Sequence, residues 1–130
     1  YIEGAEKMLE ELTKKYSLYL VTNGITNVQT RRIASAGLEK YFKGIFISEE
    51  IGHDKPSREY FEYCFEHMEN FTKDRAIIIG DSLSSDILGG INAGIRTVWF
   101  NPKGEPKNPE IPADYEIIHL DQVKTLLEKI

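Results

Sequence analysis

AIIIGDSLSSDILGGINAG, residues 76–94, decides how this chain is read: an apolar run ends at Gly80, Asp81 and Asp86 follow in a loop, and a helical pattern resumes. Residues 76–79 are too continuously apolar for a strand with one wet face. They are expected to be covered on both faces, as strands of parallel sheets are. Open parallel sheets bind ligands outside the carboxyl ends of their strands. Two carboxylates at such an end suit a hard divalent cation, most simply magnesium, which takes carboxylate oxygens and water. Helix capping is the competing explanation, and it accounts for Asp86, or for Ser84 and Ser85, more readily than for Asp81.

Outward from this stretch, strand and helix patterns alternate. Residues 4–16 place Ala5, Met8, Leu9, Leu12 and Tyr16 at steps of three and four, an amphipathic helix. A strand over 17–21 ends in Thr22-Asn23-Gly24, and a second helix through Val28, Ile33 and Ala36 stops at Gly37. Residues 43–48 hold the next strand, after which Pro56 is expected to open a helix bearing Tyr60, Phe61, Cys64, Phe65 and Met68. Gly94 closes the helix after Asp86, and a strand follows over 97–100. Four of the five prolines then mark a surface loop at 102–112. An edge strand over 115–118 and a last helix begun near Asp121 complete the chain. The class is α/β with a parallel sheet.

At 130 residues, 41% hydrophobic and 28% charged, the chain fits one ordinary globular domain. A net charge of -5 without any basic stretch argues against nucleic acid as a partner. The single cysteine, Cys64, excludes an internal disulfide, and neither a signal peptide nor a membrane-length apolar run is present. The cytoplasm is the default location, with no membrane partner. Cys64 sits among aromatic residues at helical spacing, where a buried inert thiol is expected.

Three strand ends finish in residues with chemistry. Thr22 and Asn23 offer a hydroxyl, an amide and backbone N–H groups to an anion, and Gly24 lets the main chain approach closely. Asn-Gly by itself is equally a turn dipeptide. Lys55, just before Pro56, is expected at the mouth of a helix, where the positive end of the macrodipole disfavours a cation and a bound anion would offset the conflict. A solvated lysine tolerating a few tenths of a kcal/mol is the plainer alternative. His53 and Asp54 read as surface structure. Asp81 and Asp86 close the third strand.

VTNG at 21–24, KPSREYF at 55–61 and IIIGDSLSSDILGGINAG at 77–94 stand in the order in which they occur in the haloacid dehalogenase-like (HAD) hydrolases, and the chain resembles that superfamily from its opening helix through residue 100. ISEEIGHDKP at 47–56 taken with 80–94 is similar to the pyrimidine 5'-nucleotidase-type phosphatase branch. The resemblance implies a Rossmann-like, doubly wound parallel sheet. It also implies a magnesium-dependent phosphatase that hydrolyses a small phosphomonoester, such as a nucleotide, through an aspartyl-phosphate intermediate. Thr22 would bind the phosphoryl group, with Asn23 and Gly24 shaping the same loop, and Lys55 would neutralise charge. Asp81 would hold magnesium directly or with Asp86, which would also orient Lys55 or a metal-bound water.

One departure limits this. Family enzymes attack phosphorus with an aspartate of an Asp-x-Asp motif after the first core strand, and this sequence contains no such segment. The opening YIEGAEKMLEEL is similar to the point where family members re-enter the core after their cap. Residues 1–130 are therefore expected to be the C-terminal part of a HAD-like core lacking its first, central strand and its cap. Such a chain is expected to be inactive alone, to bind magnesium weakly or not at all, and to risk self-association through unpaired strand edges. The gap should be closed either by the strands ending at Val21 and Gly80 meeting or by another segment. Two other readings stand beside the phosphatase: a non-catalytic binding or assembly module, motivated by the missing motif, and a metal-independent haloacid dehalogenase, disfavoured by Gly80-Asp81-Ser82.

Overall fold

The amphipathic spacing of the first helix and the apolar strands it precedes have one consequence: each segment has a single face to bury, and a parallel α/β arrangement buries it. The computed structural model describes residues 4–130, so the first three residues of the opening YIEGAEKMLEEL lie outside the described part. Two compact units result, one from the residues up to Gly52 together with Leu120–Ile130, the other from His53–His119. Among the described residues no helix is long and apolar enough to cross a membrane.

In the first unit, α1 (Ala5–Leu12) buries Leu9 and Leu12 while its glutamates face outward. It packs against α6 (Gln122–Lys129), whose Val123 is fully buried. The exposed Lys15–Glu128 and Lys124–Glu11 pairs at 3.9 and 4.0 Å add little to this, because solvent screens them. Strand β1 (Tyr19–Thr22) runs parallel to β2 (Gly44–Ile47), in register from Tyr19 opposite Gly44 to Thr22 opposite Ile47. Between them α2 (Thr26–Ala36) ends at Gly37, where a left-handed backbone terminates the helix as its position suggested. Strand β2 passes directly into a single helical turn, α3 (Ser48–Ile51).

In the second unit, α4 spans Arg58–Glu66 and buries Tyr60, Phe61 and Cys64. Its start corrects the sequence expectation. Pro56 precedes the helix, and Ser57 is the cap, its Oγ accepting the Tyr60 N–H at 3.2 Å. A serine cap satisfies an orphan donor, which proline at the first turn cannot do. Strands β3 (Ile77–Gly80), β4 (Arg96–Phe100) and β5 (Tyr115–Ile117) form a parallel sheet in that order, with β5 on the edge as expected. A π-helical turn, Leu83–Ile87, leads into α5 (Leu88–Ala93), which Gly94 closes. The proline-rich stretch at 101–114 is irregular.

Cover on both faces, expected for β3, belongs instead to β4. Residues 97–100 are all buried, whereas only Ile78 of β3 is. The reason is position: β4 has a neighbour on each side, β3 pairs with β4 alone, and β1 pairs with β2 alone. Among the described residues, then, no ladder joins β1 to β3 and no further strand pairs with either.

Helix α5 lies close on the sheet because Gly89-Gly90 has no side chains to hold it off. A Cβ at Gly90 would meet Ile78 Cγ2 and Thr97 Cγ2 at 2.6 Å, and one at Gly89 would collide with the Phe61 ring. Gly90→Ala is expected to lower stability by about 1–3 kcal/mol, the usual cost of overpacking. Urea unfolding of the two proteins measures it, and equal midpoints would refute the close approach.

Candidate functional site

The carboxyl end of β3 is shaped by Gly80 and by the π-helical turn that Ser82 caps. Gly80 is opposite Trp99 in the β3–β4 ladder, and a Cβ there would overlap the Asp86 side chain, so only glycine lets that carboxylate lie against the strand end. Ser82 begins the π-helical turn, its Oγ accepting the Ser85 N–H at 3.2 Å. The Ser82 N–H in turn donates to Asp86 Oδ2 at 3.3 Å. This is the reciprocity of a capping box, with the returning carboxylate four residues on because the turn is a wide one. Capping thus belongs to Ser82 and Asp86 together, not to Ser84 or Ser85.

The other oxygen of Asp86 takes Lys55. Its Nζ lies 2.5 Å from Oδ1, with 8% of the lysine side chain and 11% of the aspartate side chain exposed. A pair this desolvated is held by its own attraction and by its hydrogen bonds. Asp86 of the chain itself is thus an anion that faces the lysine, the contact implied by the resemblance in which Asp86 orients Lys55. Lys55 also stands three residues ahead of α4, with Ser57 as the cap between.

Asp81 differs. It is exposed, and among the described residues its carboxylate accepts no hydrogen bond, while its backbone carbonyl takes the indole N–H of Trp99 at 3.0 Å. The donor chemistry fits magnesium: one or two carboxylate oxygens with water completing the shell suffice for this ion. Asp81 offers a carboxylate toward solvent and Asp86 one whose two oxygens are already engaged once each. Among the described residues no three of His, Cys, Asp and Glu group as a metal cage. His53 and Asp54 are exposed, as their surface reading required.

In the first unit, the Thr22-Asn23-Gly24 loop is organised by side chains that sequence inspection does not single out. Gln29 of α2 donates through Nε2 to Thr22 Oγ1 at 3.0 Å and to the Asn23 carbonyl at 2.9 Å. The buried Ser48 accepts the Gly24 N–H at 2.8 Å. Gly24 has φ 150°, and a Cβ would lie 2.6 Å from Gln29 Nε2, so the loop needs glycine both for its backbone and for the glutamine. A hydrophilic position one helical turn after the loop was the available signal for Gln29; Ser48 shows only through the β1–β2 register.

Cys64 is fully buried in α4, and burial pushes its thiol up to about 12 from the ordinary 9.0. It is not a nucleophile in the folded chain.

A family model described as haloacid dehalogenase-like hydrolase matches residues 1–100. The HAD-hydrolase YfnB of Bacillus subtilis is 44% identical over 126 residues, covering 97% of this chain and 54% of that protein. Its magnesium-bound crystal structure superposes with a TM-score of 0.95 over 97% of this chain and 55% of that one. Pyrimidine 5'-nucleotidase PynA of Streptococcus pneumoniae is 39% identical, with 99% and 57% covered, and pyrimidine 5'-nucleotidase YjjG of Escherichia coli 34% identical, with 98% and 57% covered. The chain spans about half the length of these relatives.

Two outcomes are expected from this geometry. Lys55→Met, which leaves Asp86 buried without its cation, should cost about 3–5 kcal/mol of stability, and adding Asp86→Asn should recover a large part of it; thermal or urea unfolding of the two variants decides. Cys64 should react with a disulfide reagent at pH 8 only after denaturation. Because its folded value is raised, the stability it contributes is complete below about pH 9 and is lost as pH rises toward about 12. Cys64→Ala should therefore show a shallower fall in stability across that window.

Proposed function

The chain belongs to the haloacid dehalogenase-like hydrolases, and from that premise we propose that it is the C-terminal part of a magnesium-dependent phosphatase acting on a small phosphomonoester, with a nucleotide favoured. The observation that carries this reading is the division of labour at the end of β3. Asp86 is committed to Lys55 and to the Ser82 N–H, which leaves Asp81 as the solvent-facing carboxylate.

In this reading Asp81 is the direct magnesium donor, and Asp86 acts from behind it by fixing Lys55. A bound magnesium supplies charge neutralisation at the phosphoryl oxygens. Lys55 contributes a positive charge whose position is set by Asp86; in the first unit Thr22, held by Gln29, carries the hydroxyl that the family motif gives to phosphoryl binding. Positioning and charge stabilisation of this kind account for most of the catalysis in phosphoryl transfer. The aspartyl-phosphate intermediate forms on a carboxylate that residues 1–130 do not carry. The whole protein is thus the catalyst, and this chain alone is inactive.

The experiment is hydrolysis of p-nitrophenyl phosphate and of pyrimidine nucleoside monophosphates by the whole protein, with and without magnesium. Activity is expected to require the metal and to fall on the order of 100-fold or more in Asp81→Asn, the scale of losing one key charge-stabilising contact. Turnover by the 130-residue chain alone would refute the incomplete-site reading. Halide release from a 2-haloacid without magnesium would replace the phosphatase with a dehalogenase.

A further inference from the structure

The peptide that joins Asp81 to Ser82 is gripped from both ends. Its carbonyl accepts the indole N–H of Trp99 at 3.0 Å, and its N–H donates to Asp86 Oδ2, whose other oxygen holds Lys55. All five residues lie in the same compact unit. Trp99 is 4% exposed and is the only tryptophan in the chain. Its place is fixed by the ladder, where it pairs with Gly80, the residue just before Asp81. A buried indole N–H without an acceptor costs free energy, so the ring and the carbonyl constrain one another.

We propose that Trp99 is a positioning residue for Asp81: by holding the 81–82 peptide plane, it sets the direction in which the Asp81 carboxylate leaves the strand end and links that direction to Lys55. The physical basis is that Asp81 has no hydrogen bond of its own on its carboxylate among the described residues, so its bearing depends on the backbone that carries it. Two rotations orient a carboxylate on a fixed Cα. Cβ is placed by the residue's own N, Cα and C, so a displacement of the carbonyl carbon shifts the entire set of accessible positions. Trp99 touches neither substrate nor metal in this account and acts only through Asp81. The inference rests on the cation-binding reading of Asp81, but its first measurement does not.

The test replaces Trp99 by benzothienylalanine, which keeps the shape of the ring and substitutes sulfur for the N–H, with Trp99→Phe as a second variant. Hydrogen exchange at the Ser82 amide is expected to quicken about fivefold or more in the benzothienyl protein, while the amides of Val98 and Phe100 in β4 stay unchanged and the melting temperature falls by only a few degrees, about the cost of one hydrogen bond. Unaltered Ser82 exchange in the isosteric protein would overturn the proposal, because the indole N–H would then not hold the peptide.

Binding of Mn2+, followed by its electron paramagnetic resonance in the whole protein, is the second arm. Affinity is expected to fall about fivefold in the benzothienyl protein, the size of one net hydrogen bond. Equal affinity would refute positioning of the carboxylate. If the unaltered whole protein takes up no Mn2+ at millimolar concentration, the cation-binding reading of Asp81 fails and positioning of its carboxylate fails with it, whereas the exchange measurement decides separately whether Trp99 holds the 81–82 peptide.

Discussion

The second unit is organised around a buried charge pair. Removing the Lys55 ammonium and the Asp86 carboxylate from water is costly, and the attraction between them repays this only if the remaining polar positions are also satisfied. Every neighbouring choice of residue meets that demand. Gly80 has no Cβ, which leaves room for the carboxylate, and the wide turn at Leu83–Ile87 brings Asp86 back over the strand end. The Ser82 N–H takes the oxygen that Lys55 does not. Among the described residues no buried side-chain polar atom lacks a partner. The pair ties the segment before α4 to the segment after β3, regions 31 residues apart in sequence.

That dependence explains which parts of the architecture were legible from the amino-acid order. The alternation of apolar runs with three- and four-residue spacing locates α1, α2, α4, α6 and all the strands within a few residues. Gly37 and Gly94 end their helices as their positions indicate, because only a left-handed backbone is needed there. Local rules sufficed wherever the cause was local. Cover of β3 was misread for the opposite reason: an apolar run reports that a strand is buried, but which strand has two neighbours is a property of the sheet. The start of α4 was misplaced because Pro56 and Ser57 both suit a helix entrance, and only the hydrogen bond from Tyr60 distinguishes them.

The candidate site shows the same division. Motif order put Thr22, Lys55, Asp81 and Asp86 forward, and the resemblance offered Asp86 both as a second magnesium ligand and as the group that orients Lys55. The difference between the two aspartates arises from contacts no spacing reveals. Asp86 lies five residues after Asp81, and in a regular helical entry its carboxylate would have had no reason to return to the Ser82 N–H. The π-helical geometry makes that return possible. Ser48 and Trp99 were invisible, and Gln29 was signalled only by its spacing from the loop, for a related reason, since each acts on a loop through a partner fixed by packing or strand register.

The asymmetry between the aspartates also bears on charge. Lys55 cancels the charge of Asp86, so the strand end carries one uncompensated carboxylate where two would otherwise stand. A divalent cation beside two free carboxylates would be neutralised and would hold little attraction for an anionic phosphoester. With Asp86 engaged by Lys55, a cation at this strand end has one carboxylate fewer to offset its charge. The lysine therefore has two effects in the proposed enzyme. Its own charge faces the phosphoryl group, and by occupying Asp86 it leaves the cation's charge available to the substrate. A neutral residue at position 55 would remove both, which is why the proposed phosphoryl chemistry rests on the Lys55–Asp86 pair as well as on Asp81.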